Sequence, residues 1–228
     1  LGDVYKRQAK TLKEIAATKG ESFYRGAIAE KIDAFFKKHN GFLTKEDLAA
    51  FKPEWVDPIS VNYHGVDVWE LPPNGHGITV LMALQILKDM KLGERDCVDT
   101  MHKQIEAMKL AMVDTAQYVA EPSYMKVSVD QLLSEKYAAK RRALINDQAI
   151  MPEPGEPGCP STVYFCCADG EGNMVSFIQS NFRGFGSGIV VPGTGISLND
   201  RAENFKFDEN HANALAGGKR PYLSLIHI

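Results

Sequence analysis

A ten-residue stretch rich in proline and glycine divides this chain into two parts of different character. Residues 151–160 read Met-Pro-Glu-Pro-Gly-Glu-Pro-Gly-Cys-Pro, with four prolines and two glycines. Proline lacks a backbone donor and glycine weakens regular structure, so this stretch cannot lie inside a helix or a central strand. We therefore expect an exposed linker that runs directly into a strand beginning near Thr162.

The composition is that of an ordinary globular protein. Hydrophobic residues make up 44% and charged residues 24% of the 228 residues, which excludes a disordered tail, a collagen and a coiled-coil rod. The 26 Lys and Arg against 29 Asp and Glu leave a formal charge of −3. That balance excludes non-specific electrostatic binding of nucleic acid. No apolar run approaches the roughly 18 residues that a membrane-spanning helix needs.

Cysteine usage argues against a disulfide scaffold and against zinc. Cys97, Cys159, Cys166 and Cys167 are few for the length of the chain, and we predict that they are small buried side chains. No spacing of His and Cys suggests a metal site. This usage, with no recognisable signal peptide, favours the cytoplasm. A periplasmic or secreted location stays open because the chain does not begin with Met, and residues 1–8 and 223–228 are either native or appended.

Helical periodicity dominates the part before the linker, with one interruption. Apolar spacing predicts helices over 9–19, 27–39, 78–90, 98–120 and 129–145. Thr44 and Asp47 have the spacing of a capping box and predict a short helix between residues 44 and 51. Alternating residues from Ile59 to Trp69 predict a β-hairpin. On the helix over 98–120, the predicted buried face contains Met101, Ile105, Met108, Met112 and Thr115.

The loop before the predicted helix over 78–90 offers a second, weaker candidate site. Residues 72–77 read Pro-Pro-Asn-Gly-His-Gly and open directly into an apolar helix. Backbone N–H groups at such a helix start can receive an anion. A tight strand-to-helix turn explains the same residues equally simply, so both interpretations stay open.

The order of elements after the linker suggests chemistry at Thr162. Residues 162–167 and 174–180 predict two strands, joined by a turn over 169–173. If the peptide bond before Thr162 were cut, that residue would carry both a hydroxyl and a free α-amine with a pKa of about 7.7–8.0. Such an amine can serve as a base for the hydroxyl at neutral pH. A strand that simply begins with Thr is the plain alternative.

Several segments resemble the γ-glutamyltransferase family of N-terminal nucleophile hydrolases. The longest runs from Ser161 to Phe205, STVYFCCADGEGNMVSFIQSNFRGFGSGIVVPGTGISLNDRAENF. Four more, SFYRGAIAEKI, NGFLTKEDLAAFKP, LPPNGHGI and GKRP, follow in the family's order, so the resemblance extends from about Ala9 to Pro221. It implies an α+β fold, the αββα sandwich of these hydrolases, present here in part and expected to be truncated at both ends.

The resemblance also implies self-processing. A precursor would cleave itself between Ser161 and Thr162, which divides the chain into 1–161, the C-terminal part of the large (α) subunit, and 162–228, the N-terminal part of the small (β) subunit. Thr162 would then attack a γ-glutamyl amide such as glutathione and form an acyl-enzyme. Water, an amino acid or a peptide amine would accept the acyl group. No metal and no organic cofactor is implied.

Further site residues are implied with some departures from the family pattern. Ser180 matches a hydroxyl that hydrogen-bonds the nucleophile, and Asn181 lies one position from a substrate-holding Asn. The family's NN(Q/E)MDDF motif reads NDRAENF here, so that Arg201 and Asn204 replace an acidic or amide residue and an Asp that hold the α-ammonium of the glutamyl group. Glu203 is a neighbouring carboxylate that would compensate. The change weakens the case for a zwitterionic γ-glutamyl donor.

Three other interpretations remain. Arg201 and Asn204 favour an acylase of the same fold that acts on glutaryl-type amides without an α-amine. A homologue that no longer processes itself would instead serve as a binding or scaffold subunit. A generic α/β binding protein would use the loop over 72–77 and would not depend on Thr162. As given, the chain lacks the family's oxyanion-hole glycines, so we expect it to be inactive and poorly stable alone.

Overall fold

A computed structural model describes the main chain of residues 2–150 and 162–222, and the side chains of 5–150 and 166–222. The linker over 151–160, Cys159 and Ser161 therefore lie outside the described residues, as do 223–228. The described chain mixes helices and strands. It divides into two compact units, one of residues 1–55 with 161–200 and one of residues 56–160 with 201–228.

The first unit is built on a helical N-terminal segment and two short hairpins. Its helices are α1 (Gly2–Ala17), α2 (Glu21–Tyr24), α3 (Ala27–Lys38) and α4 (Lys45–Ala50). Its strands are β3 (Thr162–Ala168), β4 (Met174–Ser180), β5 (Val190–Val191) and β6 (Ile196–Ser197). The core joins Ile28 and Ile32 of α3 to Val191 of β5. Residues from both sides of the linker therefore share one core.

The second unit is a helix pair with a hairpin and the C-terminal segment. It contains β1 (Ile59–Tyr63), β2 (Val66–Glu70), α5 (Gly77–Leu87), α6 (Val98–Tyr118), α7 (Val129–Leu132) and α8 (Glu135–Arg142). Short 3-10 helices cover Pro122–Tyr124 and Arg201–Asn204. Ile78 and Met82 of α5 pack against Ala111 of α6 in the main core. Tyr222, near the end of the described chain, packs against the same core.

The predictions from the sequence are confirmed where a single side chain determines the local backbone conformation. The Thr44 hydroxyl accepts the Asp47 N–H at 3.2 Å and the Asp47 carboxylate accepts the Thr44 N–H at 2.9 Å, which completes the predicted capping box. The first hairpin turns at His64 and Gly65, both with positive φ. A turn of this kind favours Gly because its backbone is left-handed.

Several predicted boundaries are wrong. The first helix begins at Gly2 rather than Ala9, and residues 21–24 form a short helix rather than a connector. The single helix predicted over 129–145 is two helices, because the Ser134 hydroxyl caps a new helix by accepting the Tyr137 N–H at 3.2 Å. A capping Ser can thus restart a helix inside a sequence whose periodicity looks continuous.

The predicted buried face of α6 is also wrong at most of its positions. Met101, Ile105 and Met112 are between 39% and 52% exposed, whereas the buried face contains Ala107, Leu110, Ala111 and Thr115. Small side chains allow α5 and α6 to approach closely, whereas Met101 and Met112 stay exposed. Two predicted positions are confirmed, because Thr115 is buried and Met108 is partly buried against the core. Two acidic residues on the buried face are paired, Glu106 with Lys109 at 2.7 Å and Asp114 with Arg141 at 2.9 Å.

The cysteine prediction fails on the second hairpin. Cys166 and Cys167 are exposed, and Cys97 is partly exposed. Phe177 and Ile178 of β4 are also 44% and 39% exposed. Neighbouring residues of a strand point to opposite faces, so neither face of this hairpin is packed within the described residues. Among those residues, no helix is both long and apolar enough to cross a membrane.

The two faces of α6 should respond differently to truncation. Leu110→Ala removes a side chain that is 1% exposed, and we expect it to lower the free energy of unfolding by about 2–5 kcal/mol. Ile105→Ala, on the 52% exposed face, should cost about 1 kcal/mol or less. Urea unfolding followed by circular dichroism measures both. Equal losses would contradict the assignment of the two faces.

Candidate active site

The predicted nucleophile stands at the start of a hairpin with a well-defined register. Strands β3 and β4 pair antiparallel from Ala168 opposite Met174 to Thr162 opposite Ser180. Thr162 and Ser180 are thus directly opposite each other in the main-chain register. The structure brings together the two hydroxyl residues that the sequence singled out.

The turn of this hairpin sets that register. The Asp169 carboxylate accepts the N–H groups of Glu171 and Asn173 at 2.9 and 3.0 Å, and Asn173 Nδ2 donates to its second oxygen at 2.8 Å. These hydrogen bonds hold the pKa of Asp169 below its usual value, and the bond from the Asn173 side chain makes the largest contribution to this shift. Gly172 supplies the positive φ that the turn requires. A slip of one residue would place Gln179 or Asn181 opposite Thr162 instead.

The chain reverses direction directly after Ser180. The Ser180 Oγ accepts the Phe182 N–H at 2.9 Å, and Phe182 is buried with a positive φ of 79°. The Asn181 carbonyl accepts the Asp200 N–H at 3.3 Å. The Asp200 carboxylate accepts the Arg183 N–H at 3.1 Å. Ser180 and Asn181 therefore lie in a closed loop whose far end is Asp200.

The remaining predicted residues lie together in the second unit. Arg201, Glu203 and Asn204 form one turn of 3-10 helix. Glu203 is exposed, whereas Arg201 and Asn204 are partly buried. The Asn204 Nδ2 donates to the Tyr222 carbonyl at 3.0 Å, so the amide oxygen is the atom that Asn204 can offer to a donor group on a ligand.

Sequence reasoning missed the residues that support this turn. Asn213 is 2% exposed; its Nδ2 donates to the Asn204 carbonyl at 2.6 Å and its Oδ1 accepts the Tyr222 N–H at 3.0 Å. Lys219 Nζ donates to the carbonyls of Ala212 and Ala214 at 2.7 and 2.8 Å. The signal for this support in the sequence is the basic pair of the GKRP segment. Lys219 is buried, and Arg220 makes two hydrogen bonds to the Glu121 carboxylate.

The loop over 72–77 does not have the electrostatics of an anion site. A Cβ added to Gly77, the first residue of α5, would lie 2.6 Å from Glu70 Oε2. The carboxylate of Glu70 therefore already lies beside this helix start, and burial raises the pKa of that carboxyl. The Asn74 side chain donates to the Pro221 carbonyl at 2.8 Å. The loop joins strand to helix and holds the C-terminal segment, which is the plainer of the two interpretations.

Within the described residues, no group of three or more His, Cys, Asp or Glu side chains could hold a metal ion.

Comparison with known proteins assigns the chain as a whole to one class of protein. A Thr that begins a strand after a linker, paired with a Ser on the next strand, is the arrangement expected of an N-terminal nucleophile hydrolase. The chain belongs to the family Gamma-glutamyltranspeptidase, whose sequence model matches residues 2–227.

Individual relatives carry different names. A solved structure titled cephalosporin acylase from Bacillus halodurans is 60% identical, with a TM-score of 0.89, over 96% of this chain and 40% of that chain. The Glutathione hydrolase-like YwrD proenzyme of Bacillus subtilis (strain 168) is 34% identical over 98% of this chain and 43% of its own length. The Oxamate amidohydrolase proenzyme of Klebsiella pneumoniae subsp. pneumoniae is 33% identical over 95% of this chain and 41% of its own length. The chain thus spans less than half the length of these relatives.

The loop that supports the turn should respond to pH through His211. Its Nδ1 accepts the Asn213 N–H at 2.9 Å, which requires that nitrogen to be unprotonated. Burial, followed by the charge of Lys206, lowers the pKa of His211 from its usual 6.5. Asp208 opposes this shift, whereas Lys219 and Lys126 add to it. The unfolded chain therefore binds more protons than the folded chain between the lowered pKa and about pH 6.5.

We accordingly expect the contribution of His211 to stability to be complete above about pH 6.5 and to be lost as the pH falls through the lowered pKa. His211→Asn keeps an acceptor but does not titrate, so it should flatten the dependence of the unfolding free energy on pH below 6.5. His64→Asn, in the exposed turn of the first hairpin, is the matched control. An unchanged slope in His211→Asn would contradict this assignment.

Proposed function

We propose that the protein containing this sequence is a self-processing acyl-transfer enzyme whose nucleophile is Thr162, acting on γ-glutamyl amides such as glutathione. The observation that carries the proposal is the position of Thr162, directly after the proline- and glycine-rich linker and opposite Ser180 in the hairpin register. Membership of the γ-glutamyltranspeptidase family supports it. Relatives named as proenzymes support processing of the chain.

Processing begins when the Thr162 hydroxyl attacks the Ser161 carbonyl. The peptide C–N bond breaks, the acyl group moves from nitrogen to oxygen, and the nitrogen becomes the α-amine of Thr162. Water then cleaves the ester and leaves a carboxylate on Ser161. We expect the large-subunit part, 1–161, and the small-subunit part, 162–228, to meet at this bond.

Turnover uses the same hydroxyl. The α-amine of Thr162 accepts the hydroxyl proton as Oγ attacks the amide carbon of the donor, and the proton passes to the departing amine. The resulting ester is the acyl-enzyme. Water releases glutamate from it, whereas an amino acid or peptide amine receives the acyl group in transfer. These steps need no metal or organic cofactor.

Ser180 is proposed to hydrogen-bond the nucleophile. Its Oγ accepts the Phe182 N–H at 2.9 Å, which orients the hydroxyl so that its single proton can be donated elsewhere. Asn181 follows it and is proposed to contact substrate. The Arg201–Asn204 turn is proposed to recognise the acyl group of the donor, with Glu203 as the carboxylate of that turn.

The two products of cleavage are proposed to remain associated. Within the first unit, the Thr11 hydroxyl donates to the Thr194 carbonyl at 2.7 Å. Within the second unit, Arg220 binds the Glu121 carboxylate through two hydrogen bonds of 2.6 and 2.7 Å. The Arg220 guanidinium holds the pKa of Glu121 below its usual value. Contacts of this kind bridge the two sides of the linker in both units.

A second candidate function is an acylase that takes a glutaryl-type donor. Arg201 and Asn204 stand where the family pattern has groups that hold an α-ammonium, and an added guanidinium repels that cation. The 60% identity to a structure titled cephalosporin acylase favours the same alternative.

Substitution of Thr162 tests the proposal in the full-length precursor. Thr162→Ala removes the nucleophile, so we expect one uncut chain by mass spectrometry and no turnover of γ-glutamyl-p-nitroanilide. Thr162→Ser keeps a hydroxyl and should still cleave itself, more slowly. A wild-type chain that stays uncut on long incubation would favour the scaffold interpretation instead.

Donor preference separates the two candidate functions. Wild-type protein is assayed with γ-glutamyl-p-nitroanilide beside glutaryl-p-nitroanilide, and a preference for the glutaryl compound would overturn the γ-glutamyl assignment. Arg201→Gln removes the positive charge and should raise kcat/KM for the γ-glutamyl donor relative to the glutaryl donor about tenfold, equivalent to about 1.4 kcal/mol. Lys206→Gln, an exposed cation five residues further on, should leave the ratio as it is.

A further inference from the structure

Three hydrogen bonds form a closed ring around the turn that is proposed to recognise the donor. Asn204 Nδ2 donates to the Tyr222 carbonyl, the Tyr222 N–H donates to Asn213 Oδ1, and Asn213 Nδ2 donates to the Asn204 carbonyl. Their lengths are 3.0, 3.0 and 2.6 Å. Each donor and acceptor in the ring has a complementary partner. The turn is therefore held through both its main chain and its side chain.

One member of the ring, Tyr222, is anchored in the helical core. Its hydroxyl donates to Thr115 Oγ1 at 3.4 Å, and Thr79 donates to the same oxygen at 3.1 Å. Its ring packs against the cluster formed by α5 and α6. The residues just before it are tied to the same unit through Asn74 and Glu121. The Tyr222 main chain is consequently held in place by the contacts of its own side chain and of the residues before it.

Asn213 connects Tyr222 to the turn through its side-chain amide. Its own main chain is held on both sides, because its N–H donates to His211 Nδ1 at 2.9 Å and its carbonyl accepts the Lys206 N–H at 3.0 Å. Rotating its amide by 180° would set Nδ2 against the Tyr222 N–H and Oδ1 against the Asn204 carbonyl. Both contacts would be repulsive, so only the observed orientation fits.

We infer that Asn213 is a positioning residue for donor recognition, acting through the orientation of Asn204. It fixes the Asn204 main chain so that Nδ2 points to Tyr222 and Oδ1 is presented as an uncharged acceptor. Such an acceptor takes one hydrogen bond from an α-ammonium and tolerates its absence better than a carboxylate would, since an unpaired buried charge costs more than an unpaired amide. The inference rests on the proposed function of the turn, but it concerns a residue that lies outside the turn and bonds it through main-chain groups.

Asn213→Asp is the direct test, because it keeps Oδ1 and replaces only the donating group of the side chain. In the processed full-length protein we expect KM for γ-glutamyl-p-nitroanilide to rise about tenfold, with kcat changed less than about threefold and self-cleavage at Thr162 retained. Asn210→Asp, three residues earlier in the same loop and exposed, adds the same charge and should change none of these values.

A double-mutant cycle distinguishes positioning from a general loss of structure. If Asn213 acts through Asn204, the effect of Asn213→Asp on KM should disappear in an Asn204→Ala background. An effect that persists unchanged there, or a parallel fall of kcat and of self-cleavage, would overturn the inference. If Asn213→Asp does not fold, Asn213→Gln is measured in the same cycle with the same two criteria. Failure of the proposed function is seen separately, as a wild-type protein that neither cleaves itself nor turns over a donor.

Discussion

The antiparallel register of β3 and β4 is the constraint on which the proposed chemistry depends. Side chains alternate between faces along a strand, so only an even shift keeps a given pair on one face. The carboxylate of Asp169 closes the turn through three hydrogen bonds, and this fixes a register in which Thr162, six residues before Ala168 on β3, lies opposite Ser180. The pairing of Thr162 with Ser180 at one end of the hairpin thus depends on the polar contacts of the turn at the other end.

The sequence predicted the structure best where a single local interaction decides it. The Thr44–Asp47 capping box, the turn at His64 and Gly65, and the strands after the linker depend on neighbours within a few residues. Positions that depend on distant packing were predicted poorly. The buried face of α6 follows from how closely α5 approaches, and this approach selects alanines where hydrophobicity alone favours methionines.

The candidate site shows the same division. Thr162 and Ser180 could be predicted because a linker, a strand and a family pattern coincide along the chain. Asn213 was missed because its contacts join residues nine positions away on either side, Asn204 and Tyr222. No periodicity or spacing marks an asparagine whose function is to satisfy two main-chain groups. Such residues become visible only when each buried polar group is matched with its partner.

The donor recognition proposed for this chain depends on how the polar groups of the turn over residues 201–204 are already hydrogen-bonded. Asn204 donates through Nδ2 to a main-chain carbonyl, so an Asp at this position would set a carboxylate oxygen against the Tyr222 carbonyl. The amide is therefore the side chain that fits the observed main chain, and it carries no charge with which to offset Arg201. In the proposed site, Arg201 disfavours an α-ammonium, the exposed Glu203 carboxylate favours it, and the neutral Asn204 oxygen tolerates either kind of donor. The names of the relatives include glutathione hydrolase-like, cephalosporin acylase and oxamate amidohydrolase, and small changes in this turn are a physical route by which the proposed nucleophile would serve several acyl groups.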